Sequence, residues 1–272
     1  MICHPSQGAH TAELLMASLA DDGFESFTEN DDGTLSAYIQ SPFFTDELSA
    51  RLNSEAYSDL LLSFSLKEIA DQNWNAVWES QYEPVIIDGR CQVRAPFHTA
   101  VAGVQYDIVI MPKMSFGTAH HETTRLMIQY MLGMQLEGKS LLDMGSGTGV
   151  LAILARMKGA IPVTAVDNDE WAYNNATENV LSNNFGDIEV LLGDSSALTG
   201  KSYDVIFANI NRNILLNDIP AYRRCLNEGG KLFMSGFYSE DLPLIEAKAV
   251  ENGLQLMSER SENNWTAACF TL

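Results

Sequence analysis

Residues 141–149 read Leu-Leu-Asp-Met-Gly-Ser-Gly-Thr-Gly, an apolar strand that ends near an acid and breaks into three glycines at alternate positions. The apolar stretch Val150–Lys158 follows with helical spacing. Glycine serves where a backbone must turn left-handed, or where a ligand must approach with no Cβ in the way. Downstream, Val163–Val166, Ile188–Leu192, Tyr203–Ala208, Lys231–Ser235 and Thr266–Thr271 have strand character. Trp171–Leu181, Asn213–Cys225 and Glu240–Asn252 have helix character. Strands alternating with helices predict a parallel, doubly wound sheet whose ligand site lies at the carboxyl edge of the strands. A bare strand-to-helix turn needs glycine too, so the run alone does not establish a site.

The spacing of the glycines narrows the ligand. A dinucleotide site prefers G-x-G-x-x-G, with the pyrophosphate on the helix N-terminus. Here the pattern is D-x-G-x-G-x-G, from Asp143 to Gly149. An acid at the strand end repels a pyrophosphate and suits an ammonium or sulfonium group; S-adenosylmethionine carries both. Asp167 ends the next strand, 22 residues beyond Gly145, where a doubly wound site holds ribose hydroxyls. Its alternative role is to cap the helix near Trp171. Asp194, after the third strand, either accepts from an adenine amino group or caps a turn.

Asn209, in Phe207-Ala208-Asn209-Ile210, ends the fourth strand. Asparagine there is often a turn former. In this fold it faces the place of a methyl acceptor, where its amide oxygen can accept from an amine and aim the lone pair at the methyl carbon. Within Ser115–Arg125, Gly117-Thr118 suggests a tight turn near the cofactor, and Thr123 and Thr124 offer hydroxyls at a helix start. His120 and His121 are adjacent, so they do not share a helix face. With no third ligand evident, no metal is expected.

The 272 residues suffice for one large domain or two, and 46% hydrophobic with 19% charged residues is ordinary for a globular chain. The net charge of −20 argues against a general phosphate-backbone binder and favours a basic macromolecular partner. Residues 1–60 carry eleven acids and one base, Arg51, half of that net charge. Helical spacing over Ala12–Leu19, short strands at Phe24–Phe27 and Leu35–Ile39 around Asn30–Gly33, and a helix within Phe43–Leu52 predict a small α/β domain over 1–59. Residues 60–72 read as a connecting helix or strand-rich linker, and 73–272 as the second domain. Trp74 and Trp78 share a helical face, and further strands are expected at Val85–Ile87, Cys91–Val93 and Tyr106–Met111. Cys3, Cys91, Cys225 and Cys269 fall into no zinc spacing and read as free thiols. No leader and no membrane-length apolar run is evident, so a cytoplasmic location is expected.

The combination of Phe116-Gly117-Thr118-x-x-His121-x-Thr123-Thr124, D-x-G-x-G-x-G, Asp167 and Ala208-Asn209-Ile210 resembles the bacterial ribosomal protein L11 methyltransferases over about residues 71–235. The N-terminal part is similar only in general shape, with Gly23-Phe24-Glu25-Ser26-Phe27 as its best stretch. The resemblance implies a seven-stranded Rossmann-like methyltransferase sheet preceded by a small substrate-recognition domain, swung on a flexible linker. It implies transfer of methyl groups from S-adenosylmethionine to lysine side chains and the α-amine of that ribosomal protein. By motif position the cofactor contacts fall on Thr124, Gly145, Asp167 and Asn209; Thr118, Gly147 and Asp194 join them from the residue reading above. The chain departs from the family at Ala119, where a second glycine is usual, in lacking a basic ending after Trp265, and in leaving only Met1–His4 for a leading strand.

The transfer expected is an in-line displacement in which the protein supplies position and desolvation. Asn209 is the expected catalytic residue, and no general base stands out; His121 has more the character of a structural residue. A monomer is expected, with no membrane and no direct nucleic-acid contact. A nucleic-acid amine methyltransferase is a rival, opposed by the charge and by the lack of N-P-P-[YFW]. A small-molecule methyltransferase leaves the first domain unexplained. A non-enzymatic scaffold would not need all four motifs, and a nicotinamide dehydrogenase is more remote.

Overall fold

The computed structural model describes residues 1–6, 10–68, 83–111 and 117–272. They fall into two compact units, one within Met1–Val77 and one within Trp78–Leu272.

The N-terminal unit contains β1 (Ile2–Pro5), α1 (Thr11–Asp21), β2 (Ser26–Glu29), β3 (Leu35–Tyr38), α2 (Asp46–Leu52) and β4 (Leu61–Ser65). The strands form one antiparallel sheet in the order β2-β3-β1-β4. The acidic turn between β2 and β3 is built by its own residues: Asp32 Oδ1 accepts from Thr34 N at 3.0 Å, and Gly33 takes φ +81°. Thr45 starts α2 by accepting from Leu48 N at 3.2 Å, so the helix begins later than Phe43. Cys3, Leu15, Leu19, Leu35, Ala37 and Tyr57 fill the core.

Two expectations change here. Ile2–Pro5 is a full leading strand, paired with both β3 and β4. Leu61–Ser65 belongs to the same sheet, so the unit extends past residue 59 to at least Ser65. Leu61 packs into the core, and the pairing of β4 with β1 occupies backbone groups that a linker would leave to water. Trp74 and Trp78 lie outside the described residues.

The second unit opens with a small sheet of β5 (Val85–Ile87), β6 (Cys91–Arg94) and β7 (Tyr106–Val109). Then come α3 (Glu122–Leu132), β8 (Leu141–Met144), α4 (Val150–Met157), β9 (Val163–Asp167), α5 (Glu170–Ser182), β10 (Glu189–Leu192) and β11 (Tyr203–Asn209). The chain finishes with α6 (Arg212–Cys225), β12 (Leu226–Tyr238), α7 (Leu242–Glu251), β13 (Gln255–Glu262) and β14 (Trp265–Thr271). The expected seven-stranded sheet is present, in the order β10-β9-β8-β11-β12-β14-β13.

Period-two alternation divides the strand side chains between two layers. Leu141, Val205, Phe207 and Phe233 pack with α3 and α4. Leu142, Met144, Ile206 and Ala208 pack with α6 and α7. Phe207 and Phe233 stack at 4.6 Å between ring centres. Asn179 of α5 and Asn183 just after it hold β7 and the residues after it: Asn183 Oδ1 accepts from Val109 N and Asn179 Oδ1 from Met111 N, each at 2.9 Å.

The sheet is mixed rather than wholly parallel. β8 to β12 run parallel, but β14 is antiparallel to β12 and β13 to β14. The cause is a two-residue hairpin: Asn263 and Asn264, at φ +48° and +68°, connect the paired Glu262 and Trp265. Two consecutive left-handed asparagines match the twist of antiparallel strands. No helix among the described residues is long and apolar enough to cross a membrane.

Candidate active site

The chain leaves β8 for one side of the sheet and returns to its other neighbour, β11, only after β9 and β10. The carboxyl ends of β8 and β11 therefore flank the point where the strand order reverses, and a crevice opens there. It is a cavity of about 490 Å³, a size suited to a small-molecule ligand. Thr124, Gly145, Gly147, Asp167 and Asn209 all line it. Residues spread over 85 positions of sequence thus meet in one place.

The glycine loop forms the floor. Gly145, Gly147 and Gly149 take φ +70°, +53° and +77°. At Gly145 the closest approach matters as much as the dihedral, because a Cβ would lie 2.0 Å from Ile210 Cγ2. The loop is pinned on both sides. Asp167 Oδ2 accepts from Gly147 N at 2.8 Å, and Thr148 Oγ1 donates to Gly117 O at 2.7 Å. Asp167 is not the cap of α5. That role belongs to Asp169, which accepts from Trp171 N at 2.7 Å, leaving Asp167 at the cavity wall.

Asn209 extends from the end of β11 beside Thr124 in the first turn of α3. Its Nδ2 donates to Thr124 Oγ1 at 3.3 Å, so Oδ1 is left as an acceptor. His121 starts α3, its Nδ1 accepting from Thr123 N at 3.3 Å, which puts the proton of the neutral ring on Nε2. The same ring packs edge-on against Trp265 at 4.7 Å, and Trp265 packs on Tyr238 at 4.2 Å. His121 and Trp265 make one wall of the cavity.

Three residues named from the sequence lie outside the cavity lining. Asp143 does not face the cavity. It is 1% exposed beneath the glycine loop, where Oδ2 accepts from Ala152 N at 3.1 Å and serves the start of α4. Burial pushes its carboxyl up to about 7, with the Asp167 charge adding and the Ala152 hydrogen bond opposing. Asp194 is not among the lining residues; it caps the 3-10 turn Ser195–Leu198 by accepting from Ser196 N at 2.8 Å. Thr118 is not among them either, its hydroxyl lying 3.1 Å from His120 Nδ1, while its neighbour Gly117 does line the cavity. Phe116 lies outside the described residues.

The structure also adds residues that the motifs do not mark. Gly236, at φ +97°, lies within β12 where the register with β14 shifts between Ser235 and Phe237, and packs on the Ile210 backbone; a Cβ there would lie 2.2 Å from Ile210 O. A glycine at another strand end was its one sequence signal. Ser146 Oγ is buried in the cavity lining and has no hydrogen-bond partner among the described residues. Trp171 stands at the rim.

Comparison with known proteins gives one answer. The sequence profile of the family described as ribosomal protein L11 methyltransferase matches residues 5–271. A ribosomal protein L11 methyltransferase from Bacteroides fragilis is 48% identical over 263 residues, covering 96% of this chain and 94% of its own length. One from Phocaeicola vulgatus is 44% identical, covering 99% and 96%. The crystal structure of a ribosomal protein L11 methylase from Lactobacillus delbrueckii subsp. bulgaricus superposes with a TM-score of 0.65 at 29% identity, covering 70% of this chain and 98% of its own.

Proposed function

The chain belongs to the ribosomal protein L11 methyltransferase family, and from that premise we propose that its carboxyl-edge cavity holds S-adenosylmethionine and directs methyl transfer to lysine side-chain and α-amino nitrogens of ribosomal protein L11. The observation that carries the reading is the convergence of Thr124, Gly145, Gly147, Asp167 and Asn209 on one cavity at the switch point.

The residues present fit the cofactor. Gly145 leaves the floor free of a Cβ, Asp167 offers carboxylate lone pairs to a ribose diol, and the buried Ser146 hydroxyl, with no partner among the described residues, offers a further polar contact. When bound, S-adenosylmethionine supplies a methyl carbon made electrophilic by its sulfonium. Asn209 Oδ1 accepts an N–H of the incoming amine and turns its lone pair toward that carbon. Thr124 keeps the Asn209 amide in this orientation through Nδ2. His121 and Trp265 screen one wall from water, which shortens the approach and desolvates the amine.

A free lysine, with a pKa of about 10.4, must lose a proton before it can attack. His121 Nδ1 is occupied by Thr123, so the proton leaves to water. The rate therefore rises with pH as the neutral amine fraction grows. The acidic first unit attracts the basic substrate before the amine enters the cavity.

The test is a transfer assay with methyl-labelled S-adenosylmethionine, unmodified ribosomal protein L11 and, in a parallel tube, ribosomal RNA. Label on amines of L11 supports the reading. Label on RNA would replace it with the nucleic-acid alternative, and bound cofactor without transfer to either would point to a scaffold.

A further inference from the structure

Trp171 is 80% exposed although it lines the cavity. A tryptophan ring that stays in water leaves most of its large apolar surface unused. The other tryptophan of the cavity is in a different situation: Trp265 is already packed against His121 and Tyr238. Trp171 also stands at a telling place. The lining runs on from Asp167 through Asn168 and Asp169 to Trp171 and Ala172. If Asp167 takes the ribose diol, the base on the adjacent ribose carbon must lie beside the residues that follow. Asp169 is committed to capping α5, Asn168 is small and polar, and Ala172 is buried with no ring. Trp171 alone in that run offers a π-face.

We propose that Trp171 is the platform on which the adenine ring of the cofactor stacks, closing the nucleoside end of the cavity; this rests on the reading of the cavity as an S-adenosylmethionine site. Stacking holds the base by its face and needs no hydrogen-bond code, so it complements the polar contacts at the ribose. It also accounts for an apolar side chain at the rim that stays exposed among the described residues.

The test uses the full chain, with S-adenosylhomocysteine and 5′-methylthioadenosine as probes, read by calorimetry and by tryptophan emission. W171A should weaken both probes by roughly 5- to 100-fold, as loss of a base–aromatic stack does. W171F should keep the affinity within about 3-fold, since a phenyl ring still stacks. Both probes should quench the emission of the wild-type chain, and W171F should lose that quenching. The exposed position allows all variants to fold.

If wild type binds both probes and W171A binds them equally well, the stacking role is overturned. W171A that raises only the KM for ribosomal protein L11 would overturn it as well, giving the ring to the protein substrate. A wild-type chain that binds neither probe would instead overturn the functional reading on which the proposal stands.

Discussion

Asn209 Nδ2 meets Thr124 Oγ1 at 3.3 Å, joining the end of β11 to the first turn of α3 across 85 residues of chain. The bond makes Thr124 a positioning residue for Asn209 as well as part of the cavity wall. T124V keeps the shape and removes the acceptor, so kcat should fall roughly 10- to 100-fold, the scale of losing a group that orients a functional one. T124S should restore most of it. N209A, which removes the amide itself, should cost about 100-fold or more in kcat. Steady-state kinetics at saturating cofactor checks all three, and T124V with unchanged kcat would end this account.

Gly145 and Gly236 both press on Ile210, but on different atoms. An added Cβ at Gly145 meets the Cγ2 of the Ile210 side chain, whereas one at Gly236 meets the Ile210 backbone carbonyl. Trimming the side chain can therefore relieve the first clash and not the second. G145A should lower the melting temperature, and adding I210A should recover part of the loss. G236A should stay destabilised with or without I210A. Each alanine also keeps about 1–2 kcal/mol of left-handed backbone strain. Thermal unfolding of the single and double variants reads the contrast.

Ala119 is fully buried at φ +66°, a conformation that suits the glycine usual there in the family it resembled by sequence. The alanine departs from the pattern in side chain while keeping the backbone shape. A119G should relieve strain of about 1 kcal/mol, offset in part by the entropy of a freer unfolded chain. The expected result is a melting temperature equal to or slightly above wild type. A clear drop would mean that the buried methyl contributes more packing than the strain costs.

Asp143 gives the stability a pH dependence with a definite sign. Its carboxyl titrates near 7 when folded, raised by burial from 3.8. Between those values the native state holds a proton that the unfolded state has lost. The stability tied to this group is complete below about pH 3.8 and disappears as pH rises through about 7. D143N stays neutral and still offers an oxygen to Ala152 N. Its melting temperature relative to wild type should climb between pH 5 and pH 8, and parallel melting curves would refute the assignment.

The eleven acids against one base in residues 1–60 should make substrate encounter sensitive to salt. Raising ionic strength from ~50 to ~200 mM shortens the screening length from about 14 to about 7 Å. KM for ribosomal protein L11 should rise several-fold over that range with kcat little changed. A salt-independent KM would remove the steering role.

The main sheet was legible because its strands are short apolar runs closed by glycine, Asp or Asn, which also marks Gly145, Asp167 and Asn209; Gly147 comes with the glycine run after β8, and Thr124, in the first turn of α3, comes with the motif of Ser115–Arg125. The failures have separate physical causes. β13 escaped notice because its side chains are mostly exposed, Glu259 and Arg260 among them, so it lacks an apolar period. Asp143 looked like a ligand-facing acid, but period two puts it on the same face as Leu141, toward α4. Asp167 and Asp169 are equally good cap candidates by composition, and only the turn geometry awards the cap to Asp169. Gly236 has no motif around it, since its requirement comes from the Ile210 backbone, 26 residues earlier.

The position of β14 between β12 and β13 has a consequence for the life of the molecule on the ribosome. Trp265, part of the cavity wall, arrives with a strand that must insert beside one made about 30 residues earlier. Until that strand has cleared the exit tunnel, the sheet stops at β12 and the wall is absent. Pairing of this last strand with β12 is thus a condition for the Trp265 side of the cavity to form.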